Sequence, residues 1–460
     1  KEDKCARWFI RFQVSILSIV CACTGLCQSL PGNQMYPDVA FGNTGWLVVW
    51  VDERGEDTDI YGARVDIGGN VLDPGGLPIC TAAGNQYSPK AAFNGTSWLV
   101  VWFDQATEAF YGARVSEHGE VIDQDVFPIN VFPSDKSGPC NLAFGQDQWL
   151  VVWMEDRSPE WNWDIYGTRV TQTGIVLDGN GIPISTGPEW EGQPSVAFDN
   201  THWFVVWSDK RSGCPEVYGA RIDQFGQILD PQGLPISSLI PFSWPAPADL
   251  SLGCQYPSIS WGETDLLVVW HRPIGYFYPP VIYGTRITPS GEVLDTQEHG
   301  ILLGRGWRPS VAFGGTDWLV IWQNPAGCIS GILVSQNGGL QDGTAFEIYL
   351  QGRHYSYQAV DWGASYWLIV WCELRDENYD IYGARVNQMG EVLEPEAILI
   401  STSIESPPTL IQDFTASDGE DSQSTLRWTD PPDDDLAQVV VRRKTDGYPS
   451  GHTDGDLVYD

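Results

Sequence analysis

Five apolar residues closed at both ends by tryptophan, "WLVVW" at Trp46–Trp50, constrain this chain more than any other feature. The segment returns at Trp98–Trp102 and Trp149–Trp153. It returns again as "WFVVW" (Trp203–Trp207), "LLVVW" (Leu266–Trp270), "WLVIW" (Trp318–Trp322) and "WLIVW" (Trp367–Trp371). Its shortness, β-branching and turn-rich flanks favour a strand over a buried helical fragment. In a strand, Trp46, Val48 and Trp50 share one face and Leu47 and Val49 the other. Both faces are apolar, so the strand has to be covered on both sides.

The segment belongs to a longer repeat. The closing tryptophans Trp50, Trp102, Trp153, Trp207, Trp270, Trp322 and Trp371 recur every 49 to 63 residues. An aromatic (Phe41, Phe93, Phe144, Phe198, Trp261, Phe313 or Trp362) stands five residues before each segment. A glycine follows in "DIYGARV", and a second glycine comes seven residues later, before "VLD". Each repeat reads as four short strands, with fixed turns between strands one and two and between three and four. Four-stranded meanders stacked face to face in a ring cover both sides of every "WLVVW" strand without exposing long edges. The expected fold is all-β: a seven-bladed β-propeller of four-stranded antiparallel blades over residues 33–403. A turn-like "DPGG" inside the fourth strand is read as a bulge. The repeat P-x-V-A-F-x4-W-L-V-V-W…D-I-Y-G-A-R-V-x3-G-x-V-L-D resembles a roughly fifty-residue blade of secreted bacterial propeller proteins. That resemblance implies architecture and is nearly silent on chemistry.

The ends differ from the repeats. Arg7 and Arg11 precede the apolar run Val14–Cys23, and small and polar residues follow, so residues 1–30 read as a secretory signal peptide. No later segment is apolar enough to span a membrane. Beyond Pro407-Pro408 the ruler stops. Strands expected near Ile411–Ala416, Ser424–Thr429 and Gln438–Arg443, with Trp428 in the second, resemble the opening half of a fibronectin type III sandwich. Residues 404–460 are therefore expected to be a partial domain of that kind, within a longer chain. The cluster Asp433, Asp434 and Asp435 reads as a solvated loop. No cofactor is implied, although calcium stays open there.

A net charge of −35 argues against nucleic acid as a partner. Extracellular polysaccharide or a surface protein fits better, with the propeller monomeric and the chain secreted or attached to the cell surface. Six cysteines follow the leader. In a secreted chain they are disulfide candidates, and Cys214 with Cys254 is the expected pair.

Chemistry is sought where the ruler breaks. From the closing tryptophan to the "YG" glycine the count runs from 9 to 14. The link into the fifth repeat is eleven residues longer than its neighbours' usual 20. Strand 2–3 loops and 4–1 links emerge on one face of a meander ring, so length variation gathers there, where binding sites are usually built. The long link carries Phe242 and Trp244. The loop "HRPIGYFYPPV" carries His271, Arg272, Tyr276, Phe277 and Tyr278. These seven form the candidate ligand-binding set, suited to stacking on sugar rings or on a protein. Trp161 and Trp163 are a weaker case.

The recurring acids and arginines (Asp52/Arg54, Glu155/Arg157, Asp209/Arg211, Glu373/Arg375, the acids Asp59, Asp164 and Asp380, and the "YGxR" arginines) read as hairpin and inter-blade ion pairs. General acid–base catalysis needs one unequal pair in one cleft, not a ring of equivalents. No catalytic or metal-binding residue is assigned. The leading expectation is a non-enzymatic binding or adhesion module. The alternatives are a carbohydrate-active hydrolase or lyase with acids in the central channel, and a structural spacer.

Overall fold

The computed structural model describes residues 32–123, 125–130, 137–157, 162–237, 254–274, 278–296, 300–341, 343–349, 353–375 and 378–401. Beyond these it describes the short strands Thr415–Ala416, Leu426–Arg427, Val441–Arg443 and Asp456–Tyr459. The signal-peptide call, Trp428 and the three clustered aspartates fall outside these residues.

Seven four-stranded antiparallel sheets follow one another along the chain. The first is built from β1 (Gln34–Phe41), β2 (Gly45–Asp52), β3 (Asp59–Asp66) and β4 (Leu77–Cys80), in that spatial order. The first strands of successive blades touch in sequence around a ring, and β1 touches the last blade's first strand, Arg353–Gly363. The fold is a seven-bladed β-propeller. Every blade takes its four strands from consecutive sequence, so the ring closes by face-to-face packing.

β2 explains why. All eight of its residues are buried. Trp46, Val48 and Trp50 pack with Leu368, Val370 and Ile381 of the last blade. Leu47, Val49 and Val51 pack with Trp98, Val100 and Trp102 of the second. The two apolar faces read from the sequence are thus the two faces of a blade. Seven such clusters fill the seven interfaces. Each buried Leu or Val contributes about 1.5–3 kcal/mol, so association of the blades is the main source of stability.

The bulge in the fourth strand is real. Val65 bridges Val71, while Gly62 pairs Leu77 and Ile60 pairs Cys80, so strand direction is kept across the five-residue excursion Leu72–Gly76. Arg64 locks it, donating through Nε and a terminal nitrogen to Asp73 (both 2.8 Å), whose carboxylate also accepts the Arg64 peptide N–H. The other terminal nitrogen donates to the carbonyl of Glu117 in the next blade. Arg114, Arg169, Arg221 and Arg286 repeat both roles. Arg385 pairs with Glu394 and donates to Ile67 of the first blade, across the closure. Because the excursion is a bulge, the 2–3 loops and 4–1 links do share one face.

Two other groups depart from expectation. The six cysteines beyond the leader are free thiols, and Cys214 and Cys254 are not bridged. Their segments are neighbours, since the Cys254 N–H donates to the Pro215 carbonyl (2.6 Å). The Cys254 thiol is turned into the core, 3.5 Å from a Glu216 carboxylate oxygen, which also accepts the Ser237 hydroxyl. The acids before "IYG" are the second. Burial and neighbouring carboxylates push Asp59 and Asp164 up to about 6, and Arg54 and Arg157 only partly offset this.

Candidate functional site

The innermost strands surround a central channel of about 620 Å³. An innermost strand is a sheet edge with unpaired N–H groups, and side chains of the preceding blade cap them. Asp38 accepts the Ala91 N–H (3.0 Å) and pairs with Lys90 (2.7 Å). Asp361 accepts the Phe41 and Trp362 N–H groups (2.7 and 2.9 Å), and Ser260 accepts that of Phe313 (3.1 Å). Burial raises Asp361 to about 6, against the lowering effect of those two amides. The channel-lining carboxylates among the described residues are these two, and both are engaged with backbone.

The entrance on the variable-loop face is less uniform. Each first strand carries a bulge before the segment that recurs from blade to blade. In five blades the bulge places a non-glycine residue at positive φ directly before proline: Tyr36 (56°), Ser88 (52°), Gln193 (58°), Tyr256 (54°) and Arg308 (51°). Side chains rarely adopt this backbone, and such strain is held only where the surroundings over-determine it. The proline needs no ladder partner at a bulge. Counting back five residues from the aromatic landmark, the rim positions in chain order are Tyr36, Ser88, Pro139, Gln193, Tyr256, Arg308 and Tyr357.

Four rim residues from adjacent blades form a row. The rings of Tyr36 and Tyr357 have centroids 4.1 Å apart. The Arg308 guanidinium lies 4.2 Å from the Tyr357 ring centroid and 5.1 Å from that of Tyr256. The backbone under Arg308 is fixed at both ends: its N–H donates to His271 Nδ1 (3.1 Å), and its carbonyl accepts from Gln358 Nε2. Burial opposes the Arg308 charge, yet hydrogen bonds with Tyr357 and Tyr256 leave its pKa above the ordinary arginine value. Burial and Tyr357 push the Tyr36 phenol up. All four residues are half-buried, so part of each faces solvent.

The residues singled out from sequence fall unevenly about this rim. His271 is buried at 4% exposure beneath Tyr256, ring centroids 5.3 Å apart. Burial and then Arg308 lower it to about 4, so it stays neutral and acts as an acceptor. It supports the rim and is not itself on the surface. Arg272 lies 3.6 Å from Glu216. Tyr278 is 66% exposed. Phe242, Trp244, Tyr276, Phe277 and Trp161 lie outside the described residues, and Trp163 packs against the core between blades 3 and 4. Sequence reasoning passed over Tyr36, Tyr256, Arg308 and Tyr357. Their signal was partial: in five repeats the residue before the proline of "PxVAF" varies (Tyr36, Ser88, Gln193, Tyr256, Arg308), while repeats three and seven carry Cys140 and Gln358 in place of that proline.

The acid-x-Arg sets are structural. Asp52 Oδ2 accepts Trp50 Nε1 (2.9 Å), and Arg54 stacks 4.3 Å from the Tyr61 centroid while donating to the Gly75 carbonyl. Glu155 with Arg157 and Asp209 with Arg211 repeat the arrangement. Among the described residues no group of three or more His, Cys, Asp or Glu side chains is placed to hold a metal ion. Nor is there a helix long and apolar enough to cross a membrane.

No family model matches the sequence, and no curated protein does. Solved structures do. The BP39L lectin from Burkholderia pseudomallei is similar at 13% identity and a TM-score of 0.53, over 79% of this chain and 99% of the lectin. A thermostable family-43 glycoside hydrolase matches at 10% identity and 0.36, over 64% of this chain and 91% of that one. A prolyl endopeptidase structure matches at 12% identity and 0.45, with this chain covering 80% of itself but 48% of the enzyme. At these identities the lectin likeness shows the propeller fold, and the other two carry no further argument.

Proposed function

We propose that this chain is an extracellular, non-enzymatic binding module that holds a saccharide on the variable-loop face of its propeller. One observation carries the reading. At the rim the repeat should be uniform if packing were its only task, yet four adjacent blades present Tyr, Arg, Tyr and Tyr while the other three present Ser, Pro and Gln. An aromatic row beside a channel is suited to sugar rings, whose C–H faces stack on phenols while hydroxyls find polar edges. The long link and the loop with Phe242, Trp244, Tyr276, Phe277 and Tyr278 are attributed to the same face by strand order. Within this reading residues 1–30 export the chain, and residues 404–460 contribute to a fibronectin-like domain after the propeller.

The test is a glycan array probed with the whole chain, repeated with Trp244→Ala and Tyr276→Ala. Binding is expected, weakened by either change. An array with no bound glycan refutes the reading.

A further inference from the structure

We propose that the gap between blades 5 and 6 docks a segment of a partner polypeptide. An extended peptide with basic flanks adds as a fifth strand to the outer edge of blade 5 and seats an aromatic side chain in the gap. The proposal uses another part of the propeller than saccharide binding does, so either can fail alone.

The gap exists because the repeat omits one ring. In six blades the third strand carries a tyrosine before its glycine: Tyr61, Tyr111, Tyr166, Tyr218, Tyr283 and Tyr382. Each joins the core cluster that holds the outer strand of the preceding blade, as Tyr61 does with Ile400, Tyr166 with Ile129 and Tyr382 with Ile348. Blade 6 has Ser330 there. Its cluster against blade 5 joins Leu303 to Ile332 and Val334 with no ring from that strand. A cavity of about 440 Å³ lies at this interface, lined by Leu302, Leu303 and Gly304 of blade 5 and by Ile332, Leu340 and Ala345 of blade 6. That volume is typical of small-molecule pockets, and so ample for one aromatic side chain. Ala345 marks the place of the omitted ring. Its counterpart in blade 1, Gly76, lies against Tyr61, where a Cβ would stand 3.1 Å from the ring's Cδ1. The Ser330 hydroxyl is turned to Asn324 and Glu347 (2.9 and 3.2 Å), and it is far smaller than a phenol.

The strand beside the gap is open to a partner. Outer strands are sheet edges, which proteins blunt with proline or charge. Blades 1 to 4 place Pro78, Pro128, Pro183 and Pro235 at the second position of that strand, and blade 6 places Glu347 there. The residue after the proline donates inward: Ile129 N–H to the Phe110 carbonyl (2.8 Å) and Ile236 N–H to that of Val217 (2.9 Å). The proline itself therefore faces the open edge, where it removes a donor. Blade 5 has Leu302 at this position, 59% exposed, within the five-residue strand Ile301–Arg305. Among the described residues no strand pairs with its outer edge. Blade 7 also lacks the proline, with Leu399, but the next blade supplies Tyr61 beside it. Among the described residues blade 5 alone joins an uncharged, proline-free edge to a neighbour without the tyrosine. On such an edge main-chain hydrogen bonds give affinity, and pockets for alternate side chains give selectivity. The charge of −35 draws a cationic segment and repels a second copy of this chain.

The experiment selects a displayed library of random dodecapeptides on the immobilised whole chain and measures the enriched peptides by fluorescence anisotropy. The expected enrichment is an aromatic residue among β-branched ones, with Lys or Arg at the flanks. Two variants give the site the residues that other blades use. Ser330→Tyr returns the ring, and blade 7 already holds Tyr382 in one cluster with Ala397, the counterpart of Ala345. Leu302→Pro returns the edge proline. Each should weaken the enriched peptides at least about tenfold, as loss of a buried anchor does, with the urea midpoint retained. Leu399→Pro, the same change on blade 7, should leave binding unaltered. No enrichment, peptides that bind both variants as tightly as the unaltered chain, or a loss shared by Leu399→Pro overturns the proposal. A dimer in analytical ultracentrifugation that Leu302→Pro disperses would give the edge to a second copy and overturn it too. Should Ser330→Tyr unfold the chain, alanine in place of the aromatic residue of the peptide decides: affinity that survives that change refutes the seat in the gap.

Discussion

Replacing Asp52 with alanine should cost the propeller about 3–5 kcal/mol and leave ligand recognition untouched. The side chain is fully buried. Its Oδ2 accepts Gln34 Nε2 (3.0 Å), Trp50 Nε1 (2.9 Å) and an Arg54 terminal nitrogen (2.6 Å), and its Oδ1 accepts the Arg54 peptide N–H (3.0 Å) and Nε (2.8 Å). Truncation strands two buried donors, on Gln34 and Trp50, each at about 1–3 kcal/mol. It also breaks a partly buried ion pair from one side, a change that typically costs about 3–5 kcal/mol. These terms overlap and do not add. The Arg54 side chain is 27% exposed and can turn toward water, which places the loss toward the lower end of that range. Because a domain of ordinary stability holds about 5–15 kcal/mol, the change is large.

Equilibrium urea unfolding, followed by circular dichroism and by tryptophan emission, measures it. Glu120→Ala, at an exposed turn position, is the reference and should lie within about 0.5 kcal/mol of the unaltered chain. Should Asp52→Ala unfold no more readily than Glu120→Ala, the acid–tryptophan–arginine clusters would not be what ties strand two to the bulge. If glycan binding fell at the same time, the assignment of these acids to structure would be wrong.

Three further outcomes follow from the packing and the titrating groups. An alanine Cβ at Gly314 would meet Trp367 Cζ2 at 2.1 Å, whereas one at Gly75 meets nothing within 4 Å; Gly314→Ala should lose at least about 1–3 kcal/mol by overpacking, with Gly75→Ala neutral or stabilising by up to about 1 kcal/mol in the same urea assay. Asp59, Asp164 and Asp361 are raised to about 6 and Glu191 to about 7, chiefly by burial. The folded state therefore holds these protons more tightly than the unfolded chain, so their contribution is full below about pH 4, where unfolded carboxyls titrate, and is lost as pH rises through 6 to 7. Urea midpoints should fall from pH 5 to pH 7.5, and Glu191→Gln should flatten the upper part of that slope. Burial pushes the Cys140, Cys254 and Cys372 thiols up to about 12, so these should resist iodoacetamide until the chain is unfolded; a Cys214–Cys254 peptide in a non-reducing digest would contradict the free thiols seen here.

Legibility followed redundancy. The blade count, the two buried faces of "WLVVW" and the side on which loops vary were written seven times over, and the structure repeats them. The bulge at "DPGG" was expected without a named residue behind it, and the structure supplies the cause, an Arg64–Asp73 pair across the excursion. Features written once were harder. His271 looked like a loop residue, but its strand runs two residues past Trp270 and carries the imidazole into the core. Cys214 and Cys254 were rightly placed on neighbouring segments, yet a disulfide also requires converging Cβ vectors, and the Cys254 thiol faces Glu216 instead.

The channel rim combines both situations. Its backbone is redundant, since five blades repeat the same positive φ before proline. Its side chains are not, and a ruler built from agreement between repeats discards the position where they disagree. Averaging seven blades therefore reveals the scaffold and erases the site. The reverse operation is the productive one. Holding the scaffold fixed, each rim residue becomes a substitution in the same host, and the Ser, Pro and Gln blades act as internal controls for the Tyr, Arg and Tyr blades. A purely structural rim should tolerate exchange between these classes. Placing Gln at 308, as blade 4 does at 193, changes the side chain on an equivalent bulge, so it should preserve the urea midpoint within about 1 kcal/mol while altering recognition. A collapse of stability with Arg308→Gln would instead make the Tyr–Arg–Tyr row a brace between blades 5, 6 and 7.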